Sequence, residues 1–330
     1  MNMKKILSQL FEHKHLSRAE AKEVLLNISH AKYNPAQVAS FITVYQMRPI
    51  SIPELQGFRD ALLELCVPFE LKGTESIDIV GTGGDNKNTF NISTLSSVVV
   101  AGAGYKVTKH GSYGVSSSVG SSNVLMALGY KFTNEVDQLK RQLDEANICF
   151  LHAPLFHPAM KEVVPIRKEL GMRTFFNMLG PLVNPVQPTH QLFGTSSMEL
   201  SRMYQYIMQE SGRRFSIVYA LDGYDEVSLT GAFRLRSNDM DTVLRPEDIG
   251  RPILEPKSLY GGDTPEEAAS IFINVLKGES TDAQQEVIVA NAGLAIHCMN
   301  PQKSIADCMA EAKESILSKK ALQTFLKLVN

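Results

Sequence analysis

Residues 78–94, DIVGTGGDNKNTFNIST, join a short apolar run to three glycines, an aspartate and several small polar side chains. Glycines let the backbone turn tightly and bring N–H groups close to an anion, and a helix that starts behind the turn adds its positive end. The residues concerned are Gly81, Gly83, Gly84, Asp85, Asn91, Ser93 and Thr94. The pattern predicts a phosphate-binding turn, although an ordinary strand-to-helix turn can carry the same residues.

The turn matches neither of the two common phosphate motifs. A Walker A motif needs GK[ST], which is missing here. The dinucleotide motif GxGxxG needs a third glycine where Asn86 stands. The sequence therefore indicates a phosphate turn of another kind.

A second polar loop, residues 109–124, reads KHGSYGVSSSVGSSNV and has six serines beside one lysine. Neutral hydroxyl donors together with one cation suit a dianion such as a phosphate. A flexible surface loop with a solvated lysine, Lys109, would have the same composition. The residues thus favour phosphate binding and an unremarkable loop equally.

A third loop, DGYDEVSLTG, places Asp225 and Glu226 directly after a predicted strand. Hard carboxylate oxygens hold Mg²⁺, which is usually shared with substrate phosphates. An isolated acidic pair is most often a solvated turn. The combination with two phosphate-type loops changes that balance, and the sequence predicts a magnesium diphosphate as the ligand.

Other candidate residues give weaker signals. Arg167, on a predicted helix, has the planar fork that clamps a carboxylate, but many such arginines are surface charges. His152 and His157 lack metal-ligand spacing, so packing or hydrogen bonding is the expected role. No Ser-His-Asp or Cys-His order is legible, and covalent catalysis therefore has no support.

The three loops need a scaffold, and hydrophobic periodicity predicts an α/β fold with a separate helical part. Residues 1–70 show only helix patterns, and the residues from 76 onwards alternate strand and helix patterns. The predicted strands are 77–80, 106–110, 148–153, 190–196 and 214–223, and the predicted helices between them are 92–103, 122–128, 135–146 and 198–210. This alternation predicts a central, mainly parallel sheet, with ligands beyond the carboxyl ends of its strands.

The rest of the chain completes this organisation. Residues 224–262 predict a hairpin and loops, and the last 65 or so residues are mostly helical. We expect a small helical domain at 1–72, completed by about 164–190. The α/β domain is expected at 73–163 and 191–330.

Composition excludes several classes of protein. The 330 residues carry a formal net charge of −2, which argues against a general nucleic-acid-binding surface. The N-terminus lacks the unbroken apolar stretch of a secretory signal, and no run approaches the roughly 18 apolar residues of a membrane span. Four scattered cysteines predict buried, reduced thiols. We therefore expect a soluble, cytoplasmic protein.

Taken together, the motifs resemble those of the anthranilate phosphoribosyltransferases, within glycosyltransferase family 3 and the nucleoside phosphorylase-like superfamily. The resemblance covers nearly the whole chain in order. It rests on GTGGD at 81–85, NIST at 91–94, KHG…VSS at 109–117, GSS at 120–122, RTFFNMLGPLVNP at 173–185 and DEVS at 225–228.

The resemblance implies a homodimer formed through the helical domain and a reaction in tryptophan biosynthesis. The amine of anthranilate attacks C1 of 5-phosphoribosyl diphosphate, and pyrophosphate leaves with the help of two Mg²⁺ ions per monomer. Lys109, Arg167, Asp225 and Glu226 are the implied catalytic residues. Ser93, Asp225 and Glu226 are the implied magnesium ligands.

The resemblance also implies the residues that bind the two substrates. The phosphates are bound by the glycine loop, with Gly81, Gly83, Gly84 and Asp85, and by Asn91, Ser93, Thr94 and Lys109. Thr89 and Ser121 are further implied substrate-binding residues. Arg167 meets the anthranilate carboxylate, and His110 and Gly111 line the acceptor pocket together with Ser112.

One position departs from the family pattern. The family usually has KHGN, whereas this chain has Ser112 in place of the asparagine near the acceptor. A phosphorylase or a transferase with another acceptor therefore stays open as an alternative. So does a nucleic-acid-binding relative, although the net charge and the Asp225–Glu226 pair argue against it.

Overall fold

The computed structural model describes residues 2–114 and 119–329. The chain forms two compact units, one of residues 1–70 with 153–187 and the other of residues 71–152 with 188–330. The helical unit is thus discontinuous in sequence. It also includes residues 153–163, which were expected in the α/β domain. Phe156 belongs to the helical unit because its carbonyl accepts a hydrogen bond from the Val67 N–H at 2.8 Å.

Fourteen α-helices and seven strands lie in the described part of the chain. The helices are α1 (Met3–Phe11), α2 (Arg18–Ser29), α3 (Pro35–Met47), α4 (Ile52–Leu65), α5 (Ile92–Gly102), α6 (Ser121–Ala127), α7 (Val136–Ala146), α8 (Ala153–Phe156), α9 (Val164–Leu170), α10 (Met198–Ser211), α11 (Pro265–Lys277), α12 (Asp282–Met299), α13 (Ile305–Leu317) and α14 (Lys320–Val329). The strands are β1 (Ile77–Gly81), β2 (Val107–Gly111), β3 (Ile148–His152), β4 (His190–Gly194), β5 (Arg214–Ala220), β6 (Phe233–Ser237) and β7 (Asp241–Leu244). The predicted helices and strands are therefore confirmed, with ends that shift by a few residues.

The helices of the helical unit start where the sequence predicts. Capping boxes begin α2 at Ser17 with Glu20 and α4 at Ser51 with Glu54, and Asn34 caps α3 ahead of Pro35. Each cap satisfies backbone N–H groups that the first helical turn leaves without partners. Short 3₁₀ helices at 158–162, 175–178 and 180–182 complete this unit.

The α/β unit is built on one seven-stranded sheet in the order β3-β2-β1-β4-β5-β6-β7. The five strands from β3 to β5 are parallel, and β6 and β7 add an antiparallel hairpin at one edge, as predicted for residues 224–262. Strands β2 and β4 pair with opposite edges of β1, so the strand order reverses direction there. The carboxyl end of β1 is therefore the topological switch point, where open α/β sheets bind ligands.

Two buried helices, α5 and α12, form the centre of the core beside the sheet. Val98, Val99 and Val100 of α5 have no exposed surface, and most of α12 is equally buried.

No helix among residues 2–114 and 119–329 is long and apolar enough to cross a membrane. Cys149, Cys298 and Cys308 are buried free thiols as expected, whereas Cys66 is only half-buried.

Candidate active site

The glycine turn joins the end of β1 to the start of α5. Gly83 and Gly84 have φ angles of 66° and 81°, a left-handed conformation that costs glycine little. The far end of the turn is fixed by hydrogen bonds from the Phe90 N–H to the Leu259 carbonyl (3.1 Å) and from the Gly261 N–H to the Asn88 carbonyl (2.9 Å). The turn is therefore anchored at both ends and presents its backbone between them.

The acidic loop packs directly against this turn. The Gly83 N–H donates to Asp225 Oδ2 at 2.6 Å, and the Ser93 N–H at the start of α5 donates to Glu226 Oε1 at 3.2 Å. Gly194, at the end of β4, allows the approach, because a Cβ atom there would overlap the Asp225 carbonyl. The acids predicted to bind magnesium and the turn predicted to bind phosphate thus form one structure.

A buried asparagine on α12 holds the acidic loop in place. Asn291 Oδ1 accepts the Val227 N–H at 3.1 Å, and its Nδ2 donates to the Val227 carbonyl at 2.8 Å. Sequence reasoning missed this residue, since an asparagine 64 positions away from Val227 carries no local signal. Its side chain satisfies both backbone groups of the residue that follows the acidic pair.

Asp225 is buried, with 7 % of its surface exposed, and so does not lie in the solvated turn that is typical of an isolated acidic pair. The close approach that Gly194 permits draws the loop into the end of the sheet. Burial and the neighbouring charge of Asp85 raise the pKa of Asp225, and burial together with Asp225 raises that of Glu226. Asp85 Oδ2 is also buried and has no hydrogen-bond partner among the described residues.

These acids fit a magnesium ion that is shared with a ligand. Three carboxylates with like charge and one buried oxygen without a partner favour a cation, which would lower the cost of their burial. Within the described residues, no group of three or more His, Cys, Asp or Glu side chains is placed so that it could hold a metal ion by itself. Mg²⁺ commonly takes one or two carboxylates and completes its shell with water and substrate phosphates, so this donor set is sufficient.

Lys109 lies near the end of β2 and is buried, with Nζ donating to the His110 carbonyl at 3.1 Å. Burial lowers the pKa of this lysine, and the charges of Asp78 and Glu226 act in the opposite direction. The His110 N–H donates to Asp78 Oδ1 at 3.2 Å. The structure thus brings the cation of the second loop toward the acids of the third.

The second loop meets the start of α5 through side chains. Thr94 Oγ1 donates to Ser121 Oγ at 2.8 Å, and Asn91 Nδ2 donates to the Val119 carbonyl at 3.1 Å. The carbonyl of Ser112 accepts the Ser122 N–H at 3.1 Å. Residues 115–118, which include three of the six predicted serines, lie outside the described residues.

The remaining candidate residues lie in the helical unit or make ordinary hydrogen bonds. Arg167 belongs to the helical unit, where its Nη2 donates to Asn177 Oδ1 at 3.2 Å and its guanidinium lies 5.4 Å from the Phe176 ring centre. His157 is hydrogen-bonded to the Val183 carbonyl at 2.9 Å, and burial lowers its pKa to about 4. His152 Nδ1 lies 2.9 Å from Ser122 Oγ.

Two family models match this chain and cover most of it. Residues 4–66 match the helical bundle domain of the glycosyl transferase family, and residues 73–322 match its a/b domain. The chain belongs to the glycosyl transferase family. The two matched domains correspond to the helical bundle and the α/β unit, so the predicted fold class is confirmed.

Two similar relatives are both named anthranilate phosphoribosyltransferase. The anthranilate phosphoribosyltransferase of Cytophaga hutchinsonii is 58 % identical over 327 residues, which are 99 % of this chain and 100 % of that protein. The one from Flavobacterium psychrophilum is 55 % identical over 99 % of this chain and 98 % of its own.

Solved structures of the glycosyl transferase family are also similar. The anthranilate phosphoribosyltransferase of Thermus thermophilus has a TM-score of 0.91 and 31 % identity, with 98 % of both chains covered. The Saccharomyces cerevisiae enzyme, determined in complex with PRPP and Mg, has a TM-score of 0.91 and 28 % identity over 99 % of this chain and 96 % of that one. The resemblance seen in the motifs is therefore confirmed over the whole chain.

Proposed function

We propose that this member of the glycosyl transferase family is an anthranilate phosphoribosyltransferase. It transfers the 5-phosphoribosyl group from phosphoribosyl diphosphate to the amine of anthranilate and releases pyrophosphate, a step of tryptophan biosynthesis. The observation that carries the proposal is the pairing of Gly83 with Asp225 and of Ser93 with Glu226. These hydrogen bonds place the glycine turn directly beside carboxylates that can bind a metal ion, and full-length relatives have this name.

The reaction makes simple demands on the protein. Negative charge grows on the departing pyrophosphate while positive charge grows on the ribose, so donors fixed around the diphosphate lower the barrier. Bound Mg²⁺ supplies further charge stabilisation at the leaving group. An aromatic amine is already unprotonated at neutral pH and needs no strong base before it attacks. A site without a catalytic His or Cys therefore suffices.

One group of residues would bind the phosphates of phosphoribosyl diphosphate and the magnesium ions. The glycine turn, the start of α5 and side chains of the second loop would bind the phosphates and orient C1 of the ribose. These residues are Gly81, Gly83, Gly84, Asp85, Thr89, Asn91, Ser93, Thr94, Lys109 and Ser121. Asp225 and Glu226 would hold magnesium together with Ser93, at two ions per monomer.

The acceptor is held by a different group. His110 and Gly111 end β2, the strand that carries Lys109, and Ser112 follows it. These three residues would line the pocket for anthranilate. Arg167 would pair with the carboxylate, since its fork can make two parallel hydrogen bonds to a carboxylate. Ser112 offers a hydroxyl where the family pattern has an amide, so acceptor binding is the part that most needs measurement.

A homodimer formed through the helical unit is also part of the proposal. Phe11 at the end of α1 and Met47 at the end of α3 are 64 % and 80 % exposed, and covering such apolar surface favours association. We also propose that the enzyme acts in the cytoplasm, on two small metabolites.

The direct test is to mix the protein with phosphoribosyl diphosphate, Mg²⁺ and anthranilate and to follow the loss of anthranilate fluorescence. The proposal predicts a loss that needs both Mg²⁺ and phosphoribosyl diphosphate and stops when a chelator is added. Phosphorolysis of pyrimidine nucleosides by the same preparation, with no effect on anthranilate, would support the phosphorylase alternative instead.

A further inference from the structure

Lys87 lies in the glycine turn and is not among the site residues that the family resemblance implies. Its ammonium stands 4.5 Å from the centre of the Tyr224 ring, in a cation–π contact. Within residues 2–114 and 119–329, this contact is the one interaction of its side chain, and the ammonium pairs with no carboxylate. A lysine two residues after Asp85 thus rests on an aromatic ring.

The acids nearby are engaged in other ways. Asp85 Oδ1 accepts the backbone N–H of Lys87 at 3.0 Å, and its Oδ2 is buried. Asp225 and Glu226 accept N–H groups of the turn and of α5. Among the described residues the ammonium of Lys87 therefore has no carboxylate partner, and its charge is available to a ligand.

The other lysine of the site is placed differently. Lys109 is buried and donates to a backbone carbonyl, whereas Lys87 is half-exposed in the turn itself. A diphosphate carries several negative charges, and a single buried lysine neutralises only part of them. The site would therefore gain from a second cation that can reach the phosphates from the solvent side.

We propose that Lys87 is a further phosphate-binding residue, which leaves the Tyr224 ring and binds the diphosphate of the entering phosphoribosyl diphosphate. This inference rests on the proposed function and adds a residue to its donor-binding site. A cation–π contact near the surface is weaker than a charge-assisted hydrogen bond to a phosphate, so the ligand outcompetes the ring. Tyr224, adjacent to Asp225, holds the lysine while the site has no ligand.

The test is calorimetric binding of phosphoribosyl diphosphate with Mg²⁺ to the whole protein and to matched variants. Lys87→Met removes the charge and keeps the length, and it should weaken binding about tenfold, the effect of one lost hydrogen bond to a charged group. Lys87→Arg should retain most of the affinity. Lys131→Met, which removes one exposed lysine elsewhere in the same unit, should bind like the wild type. The kcat of Lys87→Met at saturating substrates should change far less than its KM for phosphoribosyl diphosphate.

A variant of the ring separates ligand binding from support of the turn. Tyr224→Leu removes the resting place of the lysine, and the proposal predicts equal or tighter binding of phosphoribosyl diphosphate. A merely structural contact would make Tyr224→Leu as harmful as Lys87→Met. If Tyr224→Leu unfolds, the salt dependence decides, because the affinity of Lys87→Met should fall less steeply with ionic strength than that of the wild type.

The outcomes are distinguishable from failure of the proposed function. A wild type that does not bind phosphoribosyl diphosphate overturns both ideas. A wild type that binds, beside a Lys87→Met variant that binds equally well or shows the same salt dependence, overturns the role of Lys87 alone.

Discussion

At the scale of single residues, the acids of the site are unfavourable for stability and suitable for function. Burial and mutual repulsion raise the pKa values of Asp225 and Glu226. Their charged forms are therefore destabilised in the folded protein unless a cation is bound. Residues whose charges oppose folding are typical of binding and catalytic sites.

The first prediction follows from this conflict. Asp225→Asn combined with Glu226→Gln should lower kcat by a factor on the order of 10² or more, since the magnesium ligands are lost. The same variant should unfold at an equal or higher temperature at pH 8, because neutral amides remove the repulsion. Turnover near that of the wild type at saturating Mg²⁺ would show that the metal assignment is wrong.

The sign of the pH dependence gives this variant a second readout. An acid whose pKa is raised in the folded state keeps its proton longer there than in the unfolded chain. Without Mg²⁺, the contribution of the pair to the free energy of unfolding should therefore be largest below about pH 4 and fall as the pH rises through the folded-state pKa values. Unfolding by denaturant at several pH values should show a shallower decline in the double variant.

Ser112 carries the second prediction. Asparagine offers a carbonyl acceptor and an amide donor at longer reach than a serine hydroxyl. Ser112→Asn should leave binding of phosphoribosyl diphosphate unchanged and raise kcat/KM for anthranilate by up to about tenfold. This gain corresponds to one added hydrogen bond, which contributes about 0.5–1.5 kcal/mol. Steady-state kinetics of both proteins decide it. A clear loss with anthranilate would indicate that the pocket has adapted to serine or that the acceptor is another molecule.

At the scale of secondary-structure elements, segments with a local sequence pattern could be predicted, whereas contacts between distant segments could not. The β1–turn–α5 segment was predicted because its apolar run, glycines and polar helix start are adjacent in sequence. The contacts of Asn291 with Val227 and of Gly194 with Asp225 join distant segments, and neither leaves a signal in a single sequence. The burial of Asp225 was missed for the same reason.

Gly194 gives the third prediction, at the scale of elements. A Cβ atom there would overlap the backbone carbonyl of Asp225, so Gly194→Ala must displace the acidic loop from the end of β4. We expect a loss of stability of about 1–3 kcal/mol, typical of overpacking, together with a large loss of activity. Gly231→Ala is the matched control, because its added Cβ would meet only ordinary contacts. Equal behaviour of the two variants would contradict the close approach.

At the scale of the whole molecule, the chain divides its residues between two units. The proposed phosphate and magnesium residues belong to the α/β unit, whereas Arg167 belongs to the helical unit. The sequence indicated this division through the change from purely helical to alternating patterns. The residue at which the chain re-enters the helical unit could not be predicted, because a four-residue helix, α8, starts directly after β3.

Arg167 supplies the fourth prediction. Arg167→Ala should raise the KM for anthranilate far more than the KM for phosphoribosyl diphosphate, since loss of one partner of a desolvated charge pair costs about 2–5 kcal/mol. Asn177→Ala is the control, because it removes the hydrogen-bond partner of Arg167 and keeps the arginine. Equal effects of Arg167→Ala on both KM values would indicate a structural arginine.

The central claim is the transfer of a phosphoribosyl group to anthranilate, and the ratio of pyrophosphate released to anthranilate consumed tests it most directly. Both quantities can be followed in one reaction with phosphoribosyl diphosphate and Mg²⁺, for the wild type and for the Asp225→Asn, Glu226→Gln variant. The proposed function predicts a ratio of about one for the wild type, because nucleophilic attack and loss of the leaving group belong to one displacement. The variant should release little pyrophosphate and consume little anthranilate. Pyrophosphate release without consumption of anthranilate, or no reaction of the wild type at all, would contradict it.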